Sequence, residues 1–137
     1  MITAKGRIET HMVLGGLAMG MVSLVLPAGT FLGAPLRGYE LLLLSFASLA
    51  GPFRQWQDGY IALASLVNVA LFLVLPISLA WSVWRRPVAV IAGFCAAYVV
   101  SFPIVFSYHP NPAYVLWLAA IACSAYGCYQ LARVTQH

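Results

Sequence analysis

The sequence predicts an all-α integral membrane protein. It has four transmembrane helices, both termini in the cytoplasm, and a short interfacial or re-entrant helix between the first and second spans. Three observations carry this. Four uncharged apolar runs of about 20 to 25 residues each match a hydrocarbon core of about 30 Å at helical rise. Charged residues make up 7% of the 137 residues and hydrophobic ones 63%, whereas a water-soluble domain carries about 25% charged residues to cover its surface. The basic residues, finally, are distributed unevenly among the loops.

The polar start MITAKGRIETH carries Lys5, Arg7 and Glu9, and the first span follows over about 12–33. That run is long for the apolar core of a signal peptide and reads as a span. Lipid offers no hydrogen-bond partners, so each crossing must satisfy its own backbone, which at this length means a helix. The next apolar stretch, Leu41–Phe53, holds only 13 residues between Glu40 and Arg54. As a helix it reaches about 20 Å, too short to cross. Arg37, Glu40, Ser48 and Gln55 share one side of its helical wheel, and Leu42, Phe46, Leu49 and Phe53 the other. A surface-lying or re-entrant segment over about 38–52 is therefore expected.

The second, third and fourth spans are expected over about 60–84, 88–108 and 113–132. Trp56 and Tyr60 flank one end of the second span and Trp81 and Trp84 the other, as aromatic residues do at membrane interfaces. Arg85-Arg86-Pro87 makes one abrupt turn, and Ser107-Tyr108-His109-Pro110-Asn111-Pro112 makes the next. Spans three and four should form a tight antiparallel hairpin. By contrast 26 residues, 34–59, separate spans one and two. A connection that long tends to carry function or its own structure.

Charge sets the orientation. With four spans and an inner N-terminus, Lys5, Arg7, Arg85, Arg86 and Arg133 lie inside, and only Arg37 and Arg54 outside. A fifth crossing through the leucine run would move Arg85 and Arg86 out and weaken that bias. The expected location is a bacterial inner membrane, with residues 1–137 forming a single domain.

Small residues recur every fourth position in three spans: Gly16 and Gly20; Gly93, Ala97 and Ser101; Ala119, Cys123 and Gly127. Such series let helix backbones approach closely in lipid. They serve either packing within the chain or contact with a second copy or partner. Pro27, Pro76 and Pro103 fall in or late in the spans and should kink them.

The chemistry of the chain is sparse. No ionisable residue sits at the middle of a span, which argues against a carboxylate-driven pump. The strongest polar intrusion is Asn68, with Ser65 one turn before it; these either bond a neighbouring helix or line a polar path. The three cysteines, Cys95, Cys123 and Cys128, have no Cys-x-x-Cys spacing and read as small packing residues. His11 and His109 are expected on opposite membrane faces, so the chain alone offers no bis-histidine haem site. The net charge of +4 is scattered and forms no nucleic-acid footprint. No catalytic residue, metal site or cofactor is expected.

What remains is the outer segment, where Arg37, Glu40, Arg54, Trp56 and Asp58 gather, with His109 from the other outer turn. The expected function is non-enzymatic: an inner-membrane protein acting through helix–helix or outer-loop contacts, as an accessory subunit or immunity-type protein with a protein partner or a second copy. One alternative is a small oligomeric channel or transporter with Ser65 and Asn68 along its path. Another is an enzyme acting on lipid or quinone at the outer surface, which needs a pocket joining residues 35–59 to His109.

Overall fold

The computed structural model describes residues 4–31, 33–106 and 111–134. It contains four helical segments long and apolar enough to cross a membrane: Arg7–Val25, Trp56–Ala80, Ser82–Val105 and Pro112–Val134. The helices pack around a common interior of Val13, Leu71, Leu75, Val99, Ile121 and Cys128. Large apolar side chains also point outward, among them Phe94 at 74% and Ile104 at 79% exposure. Water penalises such a surface and oil does not.

Helix α1 runs Ala4–Val25, so it starts earlier and ends sooner than the expected span over 12–33. Its early start takes Glu9 out of the polar tail and buries it to 5% exposure, with its backbone next to Gly127. Its early end is a correction with a clear cause. Strands β1 (Pro27–Phe31) and β2 (Ala34–Arg37) pair as an antiparallel hairpin where the span was expected to continue. Pro27, lacking an N–H, takes the first strand position, where no donor is required. Gly29 at φ 146° and Gly33 at φ 83° supply backbone conformations that disfavour other residues. The register shifts between Pro27 and Gly29, which leaves Ala28 buried in a bulge.

Helix α2 (Gly38–Ala50) follows directly, and its 13 residues confirm a segment too short to span. The Gly38 N–H donates to the Leu26 carbonyl at 3.0 Å. A Cβ at Gly38 would lie 2.2 Å from the Ser23 carbonyl oxygen, so only glycine lets α2 start this close to α1. From there α2 packs chiefly against α3 and secondarily against α1.

Helix α3 (Trp56–Val69) continues through a wider turn, Ala70–Val74, into α4 (Ile77–Ala80). The Leu75 N–H donates to the Ala70 carbonyl, five residues back, at 2.8 Å. This π-type turn stands immediately before Pro76, and the expected kink takes this form. The carbonyls around the break find side-chain partners: Ser78 Oγ donates to Leu75 O at 2.7 Å, and Arg85 Nε donates to Ser78 O at 3.1 Å. Trp81 is extended, a short 3₁₀ turn covers Ser82–Trp84, and α5 runs Arg85–Phe106 with Pro103 inside it.

Helix α6 (Pro112–Val134) has proline at its first position, where a missing N–H costs nothing. Asn111 caps it: its Oδ1 accepts from the Tyr114 N–H at 2.9 Å, while its Nδ2 donates to the Ala28 carbonyl of the hairpin. One side chain thus fastens α6 to the β-hairpin. Asn111→Ala is expected to cost roughly 1–2 kcal/mol, as a lost N-cap with a lost tertiary bond should. Thermal unfolding in detergent measures it.

The three small-residue series meet different fates. Gly16 faces Ala120 and Ser124 of α6, and Gly127 faces Val13 and Glu9 of α1, so these two helices are antiparallel and packed backbone to backbone. Gly20 faces Leu71 and Phe72. On α6, Ala120 and Ser124 are fully buried, whereas Ala119 and Cys123 are half-buried. On α6 Gly127 thus faces α1 as expected, while Ala120 and Ser124 take the places expected of Ala119 and Cys123. On α5, a Cβ built onto Gly93 would meet nothing within 4 Å and Ala97 is exposed, while Ser101 bonds Tyr60 across to α3.

Candidate functional site

The polar residues singled out in the outer segment are first of all helix starters. Glu40 Oε2 accepts from the Arg37 N–H at 2.6 Å and begins α2. Asp58 Oδ2 accepts from the Arg54 and Gln55 N–H groups at 2.9 and 3.0 Å and begins α3. Both carboxylates stand three residues after the helix cap, the reciprocal half of a capping box. The spacings Arg37-x-x-Glu40 and Gln55-x-x-Asp58 were the sequence signal for this. Arg37, Arg54 and Trp56 are exposed, and Trp56 meets Tyr60 edge-on at 6.4 Å. His109 lies outside the described residues.

Between α2 and the four long helices lies a cavity of about 500 Å³. One wall is the inner face of α2, with Leu41, Leu42, Ser45 and Ser48. A second is α3, where Asp58, Ile61, Ala64 and Asn68 follow one another at helical spacing. The third is aromatic: Phe102 of α5 with Tyr114 and Trp117 of α6. Their ring centroids are 6.3 to 6.5 Å apart, and Phe102 and Trp117 meet at 89°. The ends of α1 and the hairpin complete it through Ser23, Leu24 and Ala28.

Asn68 holds two walls together. Its Nδ2 donates to the Ala64 carbonyl at 2.8 Å, and its Oδ1 accepts from Trp117 Nε1 at 3.1 Å. Ser65 has a different place. It is fully buried, donates to its own helix at Ala62 O, 2.6 Å away, and does not line the cavity. Leu71 and Leu75, farther along the same segment, and Ile121 of α6 are fully buried and do not line the cavity.

Sequence reasoning missed the aromatic wall, because Phe102, Tyr114 and Trp117 each look like ordinary belt or span residues. A cavity is a gap between elements and leaves no local signature. The size falls in the range of small-molecule sites, about 300–1,000 Å³, and the mostly apolar lining with few polar atoms is their usual make-up. Among the described residues no group of three histidine, cysteine or acidic side chains converges to hold a metal ion. The chain matches no protein-family model, no curated protein and no solved structure.

Proposed function

We propose that the protein is a non-catalytic, membrane-embedded binding protein that holds an amphiphilic molecule in the cavity beside α2. The observation that carries the reading is the cavity itself: about 500 Å³, aromatic on one side and walled by a helix too short to cross. A pore would need a continued path, whereas Leu71, Leu75 and Ile121 are fully buried in the packed interior and take no part in the lining. A hydrolase would need an activated hydroxyl, whereas Ser45 and Ser48 donate to Leu42 and Leu44 carbonyls of their own helix.

In this reading the four spans sit in a bacterial inner membrane with both termini cytoplasmic. The arginine bias supports that sidedness, and it places α2, the hairpin and the cavity at the outer leaflet. The outer segment then acts as the movable wall of a ligand site, and an accessory or immunity role would be exerted through the molecule held there.

Native mass spectrometry of the protein extracted in mild non-ionic detergent tests this. The expected result is one retained amphiphile per chain, exchangeable for an added alkyl amphiphile of different mass. A chain that emerges empty and takes up no such probe overturns it.

A further inference from the structure

We infer that the molecule held in this cavity carries a positively charged, hydrogen-bond-donating head, an alkylammonium, seated against Asp58. The inference rests on the binding role proposed above and names the ligand class. A tail that leaves the bilayer for an apolar cavity exchanges one oil for another, and gains little by it. Selection must come from the head and from the polar atoms that meet it.

Those atoms are almost all acceptors. The hydroxyls of Ser23, Ser45 and Ser48 donate to Gly20, Leu42 and Leu44 carbonyls at 2.6, 2.7 and 3.0 Å. Each is left with lone pairs only. The Tyr114 hydroxyl donates to Val99 O at 2.6 Å, and Trp117 Nε1 to Asn68. Of the side-chain donors that line the cavity among the described residues, a single N–H of Asn68 is unspent. Asp58 meets both of its backbone donors with Oδ2, so its Oδ1 bears no protein hydrogen bond among the described residues.

A carboxylate or phosphate head at Asp58 would thus meet an anion, while the unspent side-chain N–H lies at the other end of the α3 wall, on Asn68. An ammonium brings three donors to a free carboxylate oxygen and to serine lone pairs. The dimensions agree. Asp58 and Asn68 stand about 15 Å apart along α3 at helical rise, which gives a head site at one end of the cavity and room for a chain toward the other.

The test compares three probes with one tail, dodecylamine, dodecanol and dodecanoate, by native mass spectrometry titration of the full chain in non-ionic detergent at neutral pH. Dodecylamine should bind at least about tenfold more tightly than dodecanol, with dodecanoate weakest. Asp58→Asn, which keeps a capping oxygen, should bring the amine down to the alcohol. Glu40→Gln removes the same charge from a carboxylate off the cavity and should leave the preference intact. If the alcohol binds as tightly as the amine, or both variants abolish the preference equally, the headgroup assignment is wrong while the cavity reading stands. If no probe binds, both fall together.

Discussion

Gly16→Val should unseat α1 from α6 and cost about 3 kcal/mol or more of stability, the upper end of what overpacking does to a close-packed interior. The magnitude follows from what surrounds the position. A Cβ at Gly16 would lie 2.0 Å from Ser124 Oγ and 2.6 Å from the Ala120 carbonyl oxygen. The serine can rotate away, but the carbonyl belongs to the α6 backbone and moves only if the helix does. The same substitution at Gly93 is the control. Nothing lies within 4 Å of its Cβ direction, so Gly93→Val should shift stability by no more than about 0.5 kcal/mol. Unfolding in detergent, followed by loss of helical ellipticity, separates the two. Equal effects at both glycines would show that the α1–α6 seam does not hold the bundle.

That contrast also marks how far residue spacing reaches. Glycine or alanine at every fourth position identifies a helix face capable of close approach, and on α1 that face is the one in use. On α6 the spacing offered Ala119 and Cys123, yet Ala120 and Ser124 occupy the seam. Both series are equally periodic, and a one-residue offset turns the helix by about 100°. Only the neighbour decides between them. The long spans were legible because lipid leaves an uncharged apolar run no other way to satisfy its backbone.

The same rule misled at residues 26–33. Pro27, Ala28, Gly29, Thr30 and Phe31 are as free of charge as residues 12–25 before them, and hydropathy does not distinguish a strand from a helical turn. Their hydrogen bonds go to β2, an element that the apolar run itself does not contain. Proline followed by two glycines within seven residues was the available hint. Asn68 was legible as a polar intrusion, but its partner Trp117 is an interhelical fact. The cavity they frame depends on the placement of α2, which the close approach at Gly38 and the hairpin set jointly.

Ala64→Trp should empty the cavity of its ligand and leave the fold standing. Ala64 lies on the cavity wall one turn before Asn68, between the head site at Asp58 and the aromatic wall. Its carbonyl, which accepts from Asn68 Nδ2, is backbone and survives the substitution. An indole here grows into vacant space, so stability should hold or rise slightly, as it does when a void lined by protein is filled. A tail that must share the space with the indole meets an overpacked site, at a cost of about 1–3 kcal/mol, or roughly a tenfold to hundredfold rise in Kd. Binding and stability therefore move in opposite directions. A wall that merely supported the fold would lose both or neither, and a probe that bound to the outer, detergent-covered faces of the helices would not register the change. Native mass spectrometry titrations and thermal unfolding on the same preparation distinguish these outcomes. Undiminished probe binding in a well-folded Ala64→Trp protein would place the ligand somewhere other than beside α2.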